Sequence, residues 1–299
     1  MSALKFSTST ADPVEADFQR GMALDVAADE EIEKLVKASE NSGVKNAGLR
    51  RASLSLQVEQ KLEPVKKANE DCLQRHPRHA RGQLALGSLL NDLGEELEAR
   101  KRWEKALELD PSNPAAYNNL ANSYGETGPV AKAFELYSKA IEMNPRQAIY
   151  YHNLASVIVL HRKDAAEHYR ISEQQVLRHA LELYRLAQKF DPASFQLATD
   201  LAQAFYGLQP PDHEGAIAAW STALSLARNG QEREATHLHL ARVKAGAGKL
   251  GEARQHLDSV TDPSLAGVKS RLSRELLDKA LPQPTKDDGR RLTPPGQPK

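Results

Sequence analysis

Three prolines, Pro77, Pro111 and Pro145, stand 34 residues apart, and each closes a run of the same kind: CLQRHP, ALELDP and AIEMNP. A fourth such ending, LAQKFDP at Pro192, follows after 47 residues, which is one period plus an insertion of 13. A fixed period of this size predicts one supersecondary unit repeated by stacking, because a unit this short cannot bury its apolar face alone.

Setting the chain in these frames brings the other anchors into phase. The unit 80–113 carries Leu86-Gly87, Leu90, Ala99, Trp103 and Ala106. The unit 114–147 carries Tyr117, Leu120-Ala121, Tyr124, Ala133, Tyr137 and Ala140. Unit 148–194 has Tyr151, Leu154-Ala155 and Ile158, then the insertion, then Ala180, Tyr184 and Ala187. Unit 195–230 has Leu201-Ala202, Phe205, Ala216, Trp220 and Ala223, and 231–263 keeps Leu240-Ala241, Ala253, Leu257 and Val260. Large residues three and four apart make an apolar stripe on one helix face. Small residues at the recurring places let two helices approach closely. Proline ends the second helix because it cannot continue the hydrogen-bond ladder. Gly94 and Gly128 are expected in the inter-helix turns, where glycine takes a left-handed backbone at little cost. The 42 alanines and 5% aromatic content suit closely packed helices better than a β-sandwich.

This pattern resembles the tetratricopeptide repeat, with its W-x2-L-G-x2-Y…A-x3-F…P signature over 34 residues. The resemblance covers residues 80–229 strongly and 231–263 more thinly. It implies an all-α, right-handed superhelical solenoid of helix-turn-helix repeats with a concave inner groove.

Outside the repeats, 1–46 reads as an N-terminal tail followed by an amphipathic helix over Asp29–Ser39 and a loop at Asn41–Asn46. Residues 47–79 read as a divergent repeat, 48–61 forming its first helix and 63–75 its second, with Pro64 in the first turn. Residues 264–281 are expected to be a capping helix that covers the last stacked face. The Pro-rich 282–299, including Pro295-x-x-Pro298, is expected to be disordered. In the insertion, Ser172 and Gln175 form a capping-box pair. The first helix of that unit is expected to run on past His161 and project as a lip.

Several chemistries are disfavoured by the sequence. Lys+Arg and Asp+Glu are both 40, so there is no electrostatic surplus for nucleic acid. The single cysteine, Cys72, allows neither an internal disulfide nor a CxxC metal or redox site. No apolar stretch reaches the length of a membrane span, and the first residues lack an apolar secretory core, so a reducing, cytoplasmic location is expected. His152, His161, His168 and His179 are spaced by 9, 7 and 11, not at the i, i+3 or i+4 intervals of helical metal ligands. Gly246-Ala-Gly248-Lys249 lacks the rest of a phosphate loop. No nucleophile elbow or kinase set is present. The expectation is a non-enzyme with no cofactor and no metal.

The groove is more informative. The side chains between the large anchors of each first helix should line it: Asn118, Asn119 and Asn122; His152, Asn153 and Ser156; Thr199, Asp200 and Gln203. Asn119, Asn153 and Asp200 hold the same repeat position. The run AYNNLANSYGETG is similar to repeats of O-linked N-acetylglucosamine transferase, whose asparagine ladder grips peptide backbone, although no catalytic domain accompanies it here. An amide suits that role because it offers both donor and acceptor. The resemblance to chaperone-tail clamps is poorer: Asn122 and Asn153 fit, but Asn118, Gln196 and Asp200 stand where cations are wanted. The reading is an adaptor that holds a peptide or partner helix in the groove. Its alternatives are a self-associating assembly protein using its end faces or the 161–172 insertion, in line with a weak homo-oligomer, and a regulatory subunit of an enzyme.

Overall fold

The computed structural model describes residues 12–40 and 47–280. The tail and loop expectations for 1–11, 41–46 and 282–299 lie outside the described residues. The chain divides into two compact units that meet at Val176–Leu177.

The first unit contains α1 (Pro13–Glu40), α2 (Ala47–Arg75), α3 (Ala80–Asp92), α4 (Glu96–Leu109), α5 (Pro114–Thr127), α6 (Val130–Met143), α7 (Ala148–Leu160) and α8 (Arg162–Tyr169). Helix α9 (Glu173–Phe190) crosses into the second unit, which continues with α10 (Phe195–Ala204), α11 (His213–Leu226), α12 (Gly230–Gly246), α13 (Leu250–Asp258) and α14 (Ala266–Ala280). Short 3-10 turns precede the loop at Leu208 and the start of α14.

The pairs α3/α4 and α5/α6 show how sequence makes the repeat. Asn113 caps α5 by accepting from the Ala115 amide at 3.1 Å, and Pro114 takes the first helical position, where its missing N–H costs nothing. At the other end α6 stops at Met143, one residue short of Asn144 and two short of Pro145. Leu86, Leu120, Leu154 and Leu201 are each the seventh residue of α3, α5, α7 and α10, and all four are buried. Their alanine partners Ala99, Ala106, Ala133, Ala140, Ala187 and Ala223 are almost wholly enclosed. Gly87 has no Cβ because Trp103 of α4 lies where one would stand.

In the first unit the core joins Leu62, Val65 and Leu73 of α2 to Leu86, Leu90, Trp103 and Leu120. In the second, Leu238 and Ala241 of α12, Ala253 and Leu257 of α13, and Leu272 and Leu276 of α14 form a cluster with Val260.

Three local expectations are corrected. Residues 47–75 are one helix paired with α1, with Pro64 inside it. Proline is tolerated there because Pro64 and Gln60 are exposed, so the Gln60 carbonyl that loses its i+4 donor faces water. Helix α7 does not run on: the backbone of His161 leaves the helical region (φ −108°, ψ 43°), and α8 folds back on α6. Burial drives this return. Phe134 is fully enclosed, with the rings of His168 and Tyr169 centred 5.3 and 5.6 Å away, and Ala165 is buried beside them. Arg170, in the left-handed region at φ 56°, closes α8. The Ser172–Gln175 capping box then starts α9, with the Ser172 amide donating to Gln175 Oε1 at 2.9 Å and the Gln175 amide to Ser172 Oγ at 3.3 Å. Finally, Gly94 is left-handed at φ 78°, but Gly128 is extended at φ −156°. Glycine is needed at 128 for space, since a Cβ would lie 2.6 Å from Tyr124 Cδ1.

Candidate functional site

In the first unit, α5 and α7 present their polar inner positions side by side and α6 lies behind them. Asn118 is buried, while Asn119, Asn122, His152, Asn153 and Ser156 are half-buried. The structure brings the four asparagines into one network. Asn119 Nδ2 donates to Ser88 Oγ of α3 at 3.1 Å, and Asn118 Nδ2 donates to Asn119 Oδ1 at 3.3 Å. Asn153 Nδ2 donates to Asn118 Oδ1 at 3.0 Å and to Asn122 Oδ1 at 3.3 Å. The Tyr137 hydroxyl of α6 also donates to Asn122 Oδ1, at 2.5 Å. Burial pushes the Tyr137 hydroxyl far above the ordinary phenol range, which keeps it a neutral donor.

This network fixes which amide atoms stay available. Asn118 and Asn119 are spent mainly on joining helices. Asn122 keeps its Nδ2 donor and Asn153 its Oδ1 acceptor, on two amides already in contact. Both residues line an open cleft of about 200 Å3, together with Gly125, Glu126, Tyr137, His152, Ser156, Val157 and Leu160. Its floor has no side chain at Gly125, where a Cβ would come within 3.1 Å of Val157. One rim is apolar: Leu160 is 77% exposed beside buried Val157. The cleft therefore offers a donor–acceptor pair of peptide size next to a small apolar surface.

In the second unit the three expected residues do not repeat that arrangement. Thr199 is buried and its hydroxyl donates to the Gln196 carbonyl at 2.8 Å within its own helix. The Asp200 carboxylate accepts from Gln196 Nε2 at 2.9 Å through both oxygens, and Gln203 is exposed. The richer cluster of this unit lies one repeat later. His239 stacks on Trp220 with ring centres 4.0 Å apart and planes 5° from parallel, and its Nδ1 shares a 2.9 Å hydrogen bond with the Tyr206 hydroxyl. Arg242 lies 5.9 Å from the Tyr206 ring. Burial, with the Arg242 charge adding to it, lowers the His239 pKa to about 4, so the imidazole is neutral at physiological pH. Sequence reasoning missed His239 and Arg242, although the phase contained them: His239 precedes Leu240-Ala241 as Asn119 precedes Leu120-Ala121.

The insertion histidines are structural neighbours of rings and helix ends. His168 packs on Phe134, and His161 sits 4.0 Å from Asp164. Among the described residues, no group of three His, Cys, Asp or Glu side chains is placed to hold a metal ion. Nor is any described helix long and apolar enough to cross a membrane.

Two family models match the chain, a TPR repeat at residues 87–128 and a tetratricopeptide repeat at 114–147. Comparison with curated proteins gives no match. Among solved structures, the chain is similar to YrrB, a TPR protein with an unusual peptide-binding site, at TM-score 0.55 and 16% identity over 70% of this chain and 99% of that one. It is also similar to pilF of Pseudomonas aeruginosa, at TM-score 0.53 and 15% identity over 83% and 99% of the two chains. Both likenesses concern the fold. With the in-phase leucines, the small-residue contacts and the matched models together, residues 87–147 are tetratricopeptide repeats, the repeat type of protein–protein interaction scaffolds, set in a chain whose described elements are all helices.

Proposed function

We propose that the protein is a non-catalytic adaptor that holds an extended peptide segment of a partner in the cleft between α5 and α7. The observation that carries this reading is the pairing of a spare donor, Asn122 Nδ2, with a spare acceptor, Asn153 Oδ1, on one preorganised network at the mouth of the cleft. A peptide unit presents one C=O and one N–H, and this pair meets both without reading the partner's side chain. Each bond contributes roughly 0.5–1.5 kcal/mol net. Affinity therefore needs apolar contact as well, which Val157 and Leu160 supply to a neighbouring side chain of the peptide. Preorganisation supports the reading, because Tyr137 and Asn118 already hold the amides in place and little side-chain entropy is lost on binding. YrrB, of similar fold, has a peptide-binding site. The buried free Cys72 is compatible with action in the reducing cytoplasm.

Gln203, Tyr206 and Arg242 give the second unit its own exposed polar surface, suited to a partner residue bearing a carboxylate. The test is affinity capture from the native host with wild-type protein and with Asn153→Ala, each checked for an unchanged helical spectrum. Loss of the wild-type partners from the variant is expected. Equal recovery by both proteins rejects the cleft.

A further inference from the structure

The cleft between α5 and α7 is lined by one carboxylate, Glu126, and by no lysine or arginine. Of Asp, Glu, Lys and Arg, α5 holds only Glu126 and α7 holds none. Glu126 follows Asn122 by one helical turn, so both project from the same face of α5. Its charge adds to burial in holding the proton on the Tyr137 hydroxyl, which sets the carboxylate near that group. The cations at this end of α5 are committed elsewhere. Arg100 bonds to Ser123 and Thr127 and lies over the Tyr124 ring, and Lys132 lies over the same ring. Glu126 is exposed and forms no ion pair among the described residues.

The wall given by α7 is apolar. Val157 follows Asn153 by one turn, and Leu160 stands beyond it at the rim. Past the amide pair, the cleft therefore has a hydrocarbon side, a floor without a side chain at Gly125, and an anionic group on the α5 side. This juxtaposition belongs to one repeat. Gly125 and Glu126 stand five and six residues after the phased Leu120. The same places hold Asn91-Asp92, Val159-Leu160, Tyr206-Gly207 and Ala245-Gly246 in the other units. None of these pairs a glycine floor with a carboxylate.

On the reading that the cleft holds a peptide, we infer that the side chain next to the held peptide unit is lysine or arginine. Its aliphatic stem lies across Gly125 along Val157 and Leu160, and its cationic head meets Glu126. An aliphatic residue covers the same wall but takes water from the carboxylate without replacing it by a partner. An acidic residue sets like charges together. The reach fits: one turn from Asn122 to Glu126 is about 6 Å at 1.5 Å per residue, close to two residues of extended peptide at about 3.3 Å each. A long side chain on the adjacent residue spans that distance.

Selection of a displayed random-peptide library on the full chain, in parallel on Glu126→Lys and Asn153→Ala, tests this, each protein first checked for an unchanged helical spectrum. Wild type should yield a pool with Lys or Arg enriched at one position. Glu126→Lys should enrich Asp or Glu at that position instead, a gain that a misfolded variant cannot give. In a peptide from the wild-type pool, norleucine at that position keeps the stem and drops the charge. It should weaken binding to wild type about fivefold and leave binding to Glu126→Gln unchanged. Glutamate there should weaken wild-type binding further. A wild-type pool without basic enrichment, the same pool from Glu126→Lys, or an equal norleucine effect in Glu126→Gln overturns the inference. If Asn153→Ala nevertheless loses the pool, the peptide-binding reading of the cleft stands without it. Recovery of the same pool by Asn153→Ala overturns both.

Discussion

Gly87 packs directly against the ring of Trp103, and Gly87→Ala tests that contact. A Cβ at Gly87 would lie 2.6 Å from both Cδ1 and Nε1 of the Trp103 ring and 3.1 Å from the Ala99 carbonyl oxygen. The ring is 3% exposed and enclosed by Leu86, Leu90 and Leu120 of the same cluster, so it has little room to retreat. Overpacking of this kind costs about 1–3 kcal/mol, and two contacts this short put the site near the upper end. Helix propensity acts the other way, since alanine in a helix interior is favoured over glycine by about 1 kcal/mol. The net expectation is destabilisation by about 2 kcal/mol.

Urea unfolding followed by circular dichroism measures that loss, with the sign as the deciding quantity. In a Trp103→Leu background the clash is gone and only propensity remains. There the same glycine change should stabilise, by about 1 kcal/mol. If Gly87→Ala stabilises the wild-type protein, or if its effect is the same in both backgrounds, the packing account of this repeat is refuted.

Further outcomes follow from the same structure. Arg100 donates to Ser123 Oγ at 3.0 Å, to Thr127 Oγ1 at 2.9 Å and to the Ser123 carbonyl at 3.2 Å, while stacking 4.5 Å from the Tyr124 ring. Arg100→Ala should cost about 1–2 kcal/mol, and Arg100→Lys should not restore it, because an ammonium cannot keep the fork and the stacking together. Urea midpoints of the three proteins check this. His239 and His256 both have their pKa lowered to about 4 by burial, so the unfolded chain binds protons first as pH falls below 6.5. Stability should therefore be full above pH 6.5 and decline towards pH 4. Thermal melts across that range should show a shallower decline for the double variant His239→Phe, His256→Gln.

The fold was legible because its cause is periodic. Pro111 and Pro145 ended helices where a ring without an N–H must end them, and Leu86, Leu120, Leu154 and Leu201 came out buried at the seventh place of their helices, whereas Leu240 is buried at the eleventh of the longer α12. What failed to show were the exceptions that tertiary packing makes. Pro64 breaks helices by rule, yet an exposed Gln60 carbonyl lets α2 continue through it. The run HRKDAAEHYR favours helix throughout, yet burial of Ala165 and ring contact with Phe134 make the chain turn at His161. Gly128 needed space where a left-handed turn was expected. For the site, phase alone put Asn118, Asn119, Asn122 and Asn153 on one surface. It could not tell that the amides bond to one another, which leaves only two of their atoms for a ligand. Nor does periodicity flag Tyr137, whose hydroxyl fixes Asn122 from the helix behind.

The proposed function has Asn122 and Asn153 read the backbone of a bound peptide. Its most direct measurement is calorimetric binding of a library-selected peptide, methylated in turn at each backbone nitrogen. Methylation at one position should weaken binding about tenfold, alanine at the same position should be tolerated, and the sensitivity should vanish in Asn153→Ala. Uniform tolerance of methylation, or the same profile in the variant, would contradict it.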